Sequence, residues 1–286
     1  MQRKNNVADW LGAMMGICLA LLLNVTLGHA AGNAIVTEEF HKTYPLSANG
    51  RVALENINGP VHISVWDRNE VKVDAVKSAQ SPEELKDAEI LVNNSADSIS
   101  IRTKYPDRDS GYKYSEGRHI SAWVEYTLTV PHAARLDEIQ LINGPLDVTG
   151  AAGEVHAECI NGKLTARGLM NVAKLSTVNG ELDARFDQLP AGGIELNSVN
   201  GKVDLTLPSD VKASIEAETV HGHIGNDFGL RSNDQFVGHG LHGQLGSGGA
   251  QIHLTNVNGG IEVHHASDGR TMSPAKDMGE RDGDGI

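Results

Sequence analysis

The sequence predicts an all-β chain wound as a single-stack β-solenoid, β-helix- or β-roll-like. Its repeats run about 18–21 residues, and a β-rich N-terminal insert carries one short helix. Three observations predict this. A phrase of apolar residue, Asn and Gly recurs at Ile57-Asn58-Gly59, Ile142-Asn143-Gly144, Ile160-Asn161-Gly162, Val178-Asn179-Gly180, Val199-Asn200-Gly201 and Val257-Asn258-Gly259, with Val220-His221-Gly222 as a variant. From Asn143 onward the phrase returns after 18, 18, 21, 21 and 37 residues, the period of units that bury their apolar faces only by stacking. After each Gly, apolar and polar residues alternate, as in Leu182, Ala184 and Phe186 around Asp183 and Arg185, which is the period of a strand.

Residues 1–30 read as an export signal. Arg3 and Lys4 start it, Trp10 to Leu23 is almost wholly apolar, and Gly28-His29-Ala30 offers small residues for cleavage between Ala30 and Ala31. The apolar run is short for a spanning helix, and Cys18 lacks a lipidation motif before it. Uncleaved, the segment would be a membrane anchor, and the only route to a membrane. Cleavage removes Cys18 and leaves Cys159 alone, so no internal disulfide can staple the exported chain. Cys159 precedes Ile160 in a repeat and reads as a small packed side chain. The mature chain retains 22 basic and 36 acidic side chains, a formal charge of −14. That excess excludes nucleic acid as a natural partner, since phosphate binding rests on clustered Lys and Arg.

Residues 31–135 form the N-terminal β region. Val61, Ile63 and Val65 alternate, Asp67-Arg68-Asn69-Glu70 turns, and Val71, Val73 and Ala75 alternate again, which is a hairpin signal. Ser81, Pro82 and Glu84 give an N-cap, a first-turn proline and a capping box for a helix near 82–92, with Leu85, Ala88 and Val92 on one face. Ala122 to Val130 alternate as one long strand.

Residues 136–266 hold the solenoid repeats. Asn-Gly between isolated apolar runs would signal two-residue hairpins. Its periodic recurrence favours parallel coils, with Asn58, Gly59, Asn143, Gly144, Asn161, Gly162, Asn179, Gly180, Asn200, Gly201, His221, Gly222, Asn258 and Gly259 at structural turns. In that arrangement Val178, Val199 and Val220 stack, as do Leu182, Val203 and Ile224, and the asparagines form a hydrogen-bonded ladder. One further coil in the 37-residue gap would make about seven from Asn143 to Asn258, a rod on the order of 30 Å long. Residues 267–286 have scarcely any apolar content and read as a disordered tail.

These repeats, with the closing stretch from Gly243 to Ile261, resemble the bacterial family of "putative adhesins", exported or membrane-anchored β-solenoids of unknown function. The resemblance covers roughly Val52 to Val263. It implies an all-β repeat domain of the cell envelope and carries no catalytic residues across.

The chemistry-bearing residues give little on their own. His221, His223, His239, His242, His253, His264 and His265 crowd the last third, but their spacing matches no metal motif. Asp282-Gly283-Asp284-Gly285 lacks the spaced ligands of a calcium loop. Glycoside cleavage needs two carboxylates at a set separation in a cleft, and the acidic residues here recur at repeat spacing without singling out a pair. Tyr105, Tyr112, Tyr114, Trp123 and Tyr126 cluster within the N-terminal region, whereas the repeats hold no Tyr or Trp. Tyr112, Tyr114 and Trp123 are therefore the candidate partner-binding aromatics.

The expectation is a non-catalytic interaction or structural module, with no catalytic residues, no cofactor and no metal. It is exported to the periplasm or cell surface, where its partner is an envelope protein or glycan. A carbohydrate-active β-helix enzyme is the alternative from another class, and a membrane-tethered envelope sensor is the third reading if residues 1–30 stay attached.

Overall fold

Each Asn-Gly corner joins two strands that lie in different sheets, and that single device builds the protein. The computed structural model describes residues 35–106, 122–234 and 238–278. Strands that end in Asn, such as Val155–Asn161, Ala173–Asn179 and Ile194–Asn200, pair in parallel within a 12-stranded sheet. Strands that follow Gly, such as Leu164–Leu169, Leu182–Phe186 and Val203–Leu207, pair in parallel within a 10-stranded sheet. The two sheets enclose one core, in which like residues stack: Leu146, Leu164, Leu182, Val203, Ile261 and Ile224 form one column of one sheet, and Leu136, Val155, Ala173, Ile194, Ile252 and Ile215 form one of the other. A stacked β-solenoid is the fold, as the repeat period predicts.

The asparagine ladder forms. Each Asn Nδ2 donates to the Oδ1 of the preceding rung's Asn, from Asn143 to Asn58 and Asn161 to Asn143 at 2.8 Å, then Asn179 to Asn161, Asn200 to Asn179 and Asn258 to Asn200 at 2.9 Å. No described residue other than glycine has positive φ, so the asparagines supply the ladder and the glycines the bend. Gly201 has φ of 150° and also sits so close to the rung below that an added Cβ would collide with the Gly180 carbonyl oxygen. Close approach, more than dihedral strain, demands glycine there.

The rungs do not stack in chain order, which corrects one expectation. Ala250–Asn258 lies between Ile194–Asn200 and Ala213–His221, so Val203 pairs with Ile261, and Ile261 with Ile224. Val199 and Val220 are thus separated by Val257 instead of touching. Among the described residues the 37-residue gap holds no further coil: its strand His239–Leu245 runs antiparallel on the outer edge of Ala213–His221. That strand has no Asn-Gly corner, so it ends the stack; the turn at 246–249 then returns the chain to the inner edge of the same strand. The span from Asn143 to Asn258 gives six rungs, with His221 on the last.

Other expectations change at the N-terminal end. Arg51–Asn58 and Val61–Trp66 are the first rung of the same stack, with Asn58 in register with Asn143, so no break falls at residue 135. The expected hairpin is split, because Trp123–Pro131 inserts between Val61–Trp66 and Glu70–Ala79. The helix covers Pro82–Asp87 only. Its Ser81 Oγ accepts from the Glu84 N–H as the cap predicts, but Glu89–Asn94 becomes a strand because its run of Ile90, Leu91 and Val92 finds an antiparallel partner in Ser98–Lys104.

The C-terminal stretch is also tied down as far as it is described. Ala275–Asp277 pairs with His239–Leu245, and Asp268 accepts from the backbone N–H groups of Ser209 and Arg270 at 3.1 Å. Residues 279–286 of the expected disordered tail, and the 1–30 export signal with Ala30 and Ala31, lie outside the described residues.

Three outcomes follow from this geometry. Gly201→Val should cost about 1–3 kcal/mol in urea unfolding, because the new side chain must push two rungs apart; an unchanged midpoint would refute the close-approach argument. His221→Asn should gain about 0.5–1 kcal/mol by extending the ladder onto the free Oδ1 of Asn258, read as a raised urea midpoint at constant slope. Hydrogen bonding from Ser209, then the Arg270 N–H and the Arg270 charge, lower the Asp268 carboxyl from 3.8 to about 2. Its folded-state pKa is below the unfolded one, so its contribution is present above about pH 4 and lost as pH falls through 2. Between those values the melting temperature of wild type should fall more steeply than that of Asp268→Asn.

Candidate interaction surface

On the sheet of Asn-terminated strands, three outward columns run along the stack, because residues two apart share a face and rungs pair in register. The inner two are polar and mixed: Gln140, Glu158, Ser176, Asn197, Thr255 and Glu218 form one, and Glu138, Lys174, Glu195, His253 and Glu216 belong to the other. The column at the corner differs. Ile142, Ile160, Val178, Val199, Val257 and Val220 are each 38–41 % exposed, although large aliphatic side chains are otherwise mostly in the core. The repeat phrase contains this column from the start. Its exposure was hidden, because an apolar residue beside a turn reads as core until the pleat direction is known.

Charged groups nearby are largely paired across rungs. Lys174 meets Glu195 at 3.2 Å, and the Asn197 amide, the larger cause, together with Lys174 holds the Glu195 carboxyl below its ordinary range. His253 meets Glu216 at 3.2 Å. Glu158 and Glu218, in the column beside the aliphatic one, have no ion-pair partner among the described residues. On the other sheet, Lys163–Glu181, Arg167–Asp183, Lys202–Asp204, His223–Glu262 and His264–Asp227 pair along the outer face.

The aromatic cluster divides. Tyr126 is buried and donates through its hydroxyl to Thr103, which in turn donates to Asn56 Oδ1, tying the inserted strand to the first corner. Tyr105 is buried too and donates to the Ala122 carbonyl at 3.2 Å; burial pushes its phenol up to about 12. Trp123 is 48 % exposed and not covered by the helix, which packs on Glu70–Ala79 and Val36–Pro45. Trp66 sits at the opposite end of the neighbouring strand, half-buried, with its Nε1 donating to the Glu70 carbonyl. The two tryptophans therefore share no platform. Tyr112 and Tyr114 lie outside the described residues.

Cys159 points beneath a corner toward the Gly144 carbonyl, and burial raises its thiol to about 11. That is the setting of a packed side chain, not of a nucleophile. Among the described residues no three His, Cys, Asp or Glu side chains are grouped to hold a metal. The acidic face has a shallow depression of about 340 Å³ lined by Asp137, Glu138, His156 and Glu158, which lies on the open sheet and not in a cleft.

Residues 47–264 match the sequence profile of the Toastrack DUF4097 family. No curated protein is detectably similar to the chain. Among solved structures, the chain is similar to a "putative cell adhesion protein" from Clostridium sporogenes at 14 % identity and a TM-score of 0.48, covering 80 % of this chain and 100 % of that one. It is also similar to a "putative adhesin" from Bacteroides fragilis at 10 % identity and a TM-score of 0.35, covering 84 % and 100 %. The family match takes in every Asn-Gly rung, from Arg51 through Ile261, and the chain belongs to the Toastrack DUF4097 family.

Proposed function

We propose that the protein is a non-catalytic interaction module of the bacterial envelope and that the corner column of Ile and Val is its working surface. The column itself carries this reading. A strand end on a solvated face needs only a β-branched or small polar residue, and threonine would serve. All six positions are nonetheless Ile or Val, while the two columns beside them vary among Gln, Glu, Ser, Asn, Thr, Lys and His. Together they expose on the order of 400 Å² of contiguous apolar surface, in the range where a patch marks a contact site.

Export rests on the sequence: the basic start, the apolar run to Leu23 and the small residues before Ala31 support a mature chain in the periplasm or on the surface. Its partner is then an envelope protein or glycan. Trp123, with Tyr112 and Tyr114, is a second proposed contact, supported by the exposure of Trp123.

The test is capture from a solubilised envelope fraction by the immobilised chain, comparing Val178→Thr/Val199→Thr with Trp123→Ala. Loss of the captured species with the threonine pair, at unchanged melting temperature, is expected. Retention by that pair with loss by Trp123→Ala would move the working surface to the aromatic region. N-terminal sequencing of the native protein should begin at Ala31, and a start at Met1 would refute cleavage.

A further inference from the structure

We infer that the aliphatic column is a docking ridge for a cationic amphipathic helix of about sixteen residues, lying along the stack axis. The inference rests on the reading of the column as working surface and names the chemistry of its partner.

Length and period come first. Six rungs at roughly 4.8 Å give a ridge about 24 Å long, which a helix rising 1.5 Å per residue spans in some sixteen residues. A helix presents an apolar side chain on one face once per turn of about 5.4 Å, close enough to the rung spacing that the drift over the whole ridge is about half a rung. An extended strand repeats on one face every 6.6–6.8 Å, roughly, and falls out of phase within two rungs. Strand addition is excluded on other grounds as well. The ridge lies on a sheet face, where the backbone groups are already paired along the stack, not at an edge.

Charge selects the sign of the partner. The whole chain carries a formal charge of −13. Beside the ridge, Glu158 and Glu218 are unpaired, while Glu195 and Glu216 are held by Lys174 and His253. Lys174 is the one Lys or Arg in the two adjoining columns between Ala173–Asn179 and Ala213–His221. A helix with Lys or Arg flanking a Leu or Ile stripe buries its stripe on the ridge and brings positive charge to those carboxylates. The same charge disfavours the other occupants. Two copies of this chain would juxtapose like-charged faces, and an apolar area near 400 Å² per copy is about half of what a stable dimer buries. An anionic lipid surface repels the acidic face.

The probe is a synthetic eighteen-residue peptide with a Leu stripe flanked by Lys, set against the same stripe flanked by Glu and against a scrambled Lys peptide, each titrated with the full chain. The Lys-flanked peptide should bind and gain helicity. Its Kd should rise about tenfold with Ile160→Thr/Val178→Thr/Val199→Thr and several-fold with Glu158→Gln/Glu218→Gln, while Trp123→Ala leaves it unchanged. Melting temperatures of all variants establish that they are folded. Equal binding of the scrambled peptide, or binding unaffected by the threonine triple variant, would overturn the proposal. So would a concentration-dependent dimer, seen by sedimentation, that the triple variant abolishes, because the ridge would then belong to a second copy. If the peptide fails while envelope capture still depends on Val178 and Val199, only the helical, cationic partner falls. If neither depends on them, the working-surface reading falls too.

Discussion

The rest of this structure depends on how closely one corner can approach the next. From Gly144 onward each corner glycine sits over the carbonyl of the neighbouring rung's glycine, and from Gly162 onward any Cβ there would overlap that oxygen. Because the backbones meet this closely, the main-chain ladder continues around the bend: the N–H of Gly180 donates to the Asn200 carbonyl at 2.9 Å, and that of Gly201 to the Asn258 carbonyl at 3.0 Å. The asparagine side chains can then reach each other as well. A single bulky corner would lengthen every one of these bonds together, which is why the phrase tolerates change around its glycine and not at it.

A second row lies beneath the corners. Two residues before every turn but that of Asn143, where Leu141 stands, is Asn56, Cys159, Thr177, Ser198, Asn256 or Thr219, all buried. Most of them donate to the glycine carbonyl of a neighbouring corner, as Asn256 does to Gly201 at 2.7 Å and Thr219 to Gly259 at 2.9 Å. The corner carbonyls point into protein and need a donor, since an unpaired buried carbonyl is costly. Cys159 belongs to this set, which explains a buried cysteine without invoking reactivity. The Ser198 hydroxyl alone among the row's donors stays unpaired, at a corner where the same small size is kept but the hydrogen bond is not.

The outer faces add cross-rung ion pairs such as Lys163–Glu181 and Lys174–Glu195, each between partly exposed groups. Pairs of that kind contribute little singly. Their effect here is on register and on the surface: they draw many charged groups into rows that answer each other, while the aliphatic column and, beside it, Glu158 and Glu218 stay outside those pairs. Antiparallel strands close three of the four sheet ends, Val36–Pro45 with Glu70–Ala79 on the 10-stranded sheet and Glu89–Asn94 and His239–Leu245 on the 12-stranded one, while the fourth end is the short parallel strand Ile224–Asn226.

By itself the sequence determined the solenoid, its corners and the asparagine ladder, because those follow from local spacing: Asn-Gly at a fixed period admits few other geometries. The capping of the helix by Ser81 was legible for the same reason. Rung order was not. Val203 fits against Ile224 as well as against Ile261 by side-chain pattern, and only the antiparallel strand His239–Leu245, which takes the outer edge of Ala213–His221, leaves the inner edge for Ala250–Asn258. The split of the Val61–Trp66 and Glu70–Ala79 pair by Trp123–Pro131 is likewise a contact between distant segments that alternation cannot encode. One sequence oddity, His221 in place of Asn, falls at the one rung with no successor, where the ladder needs no further acceptor. The candidate surface was half legible: its residues are in the repeat phrase, but whether they face core or water is set by the pleat at the corner, and only the packed sheets decide that.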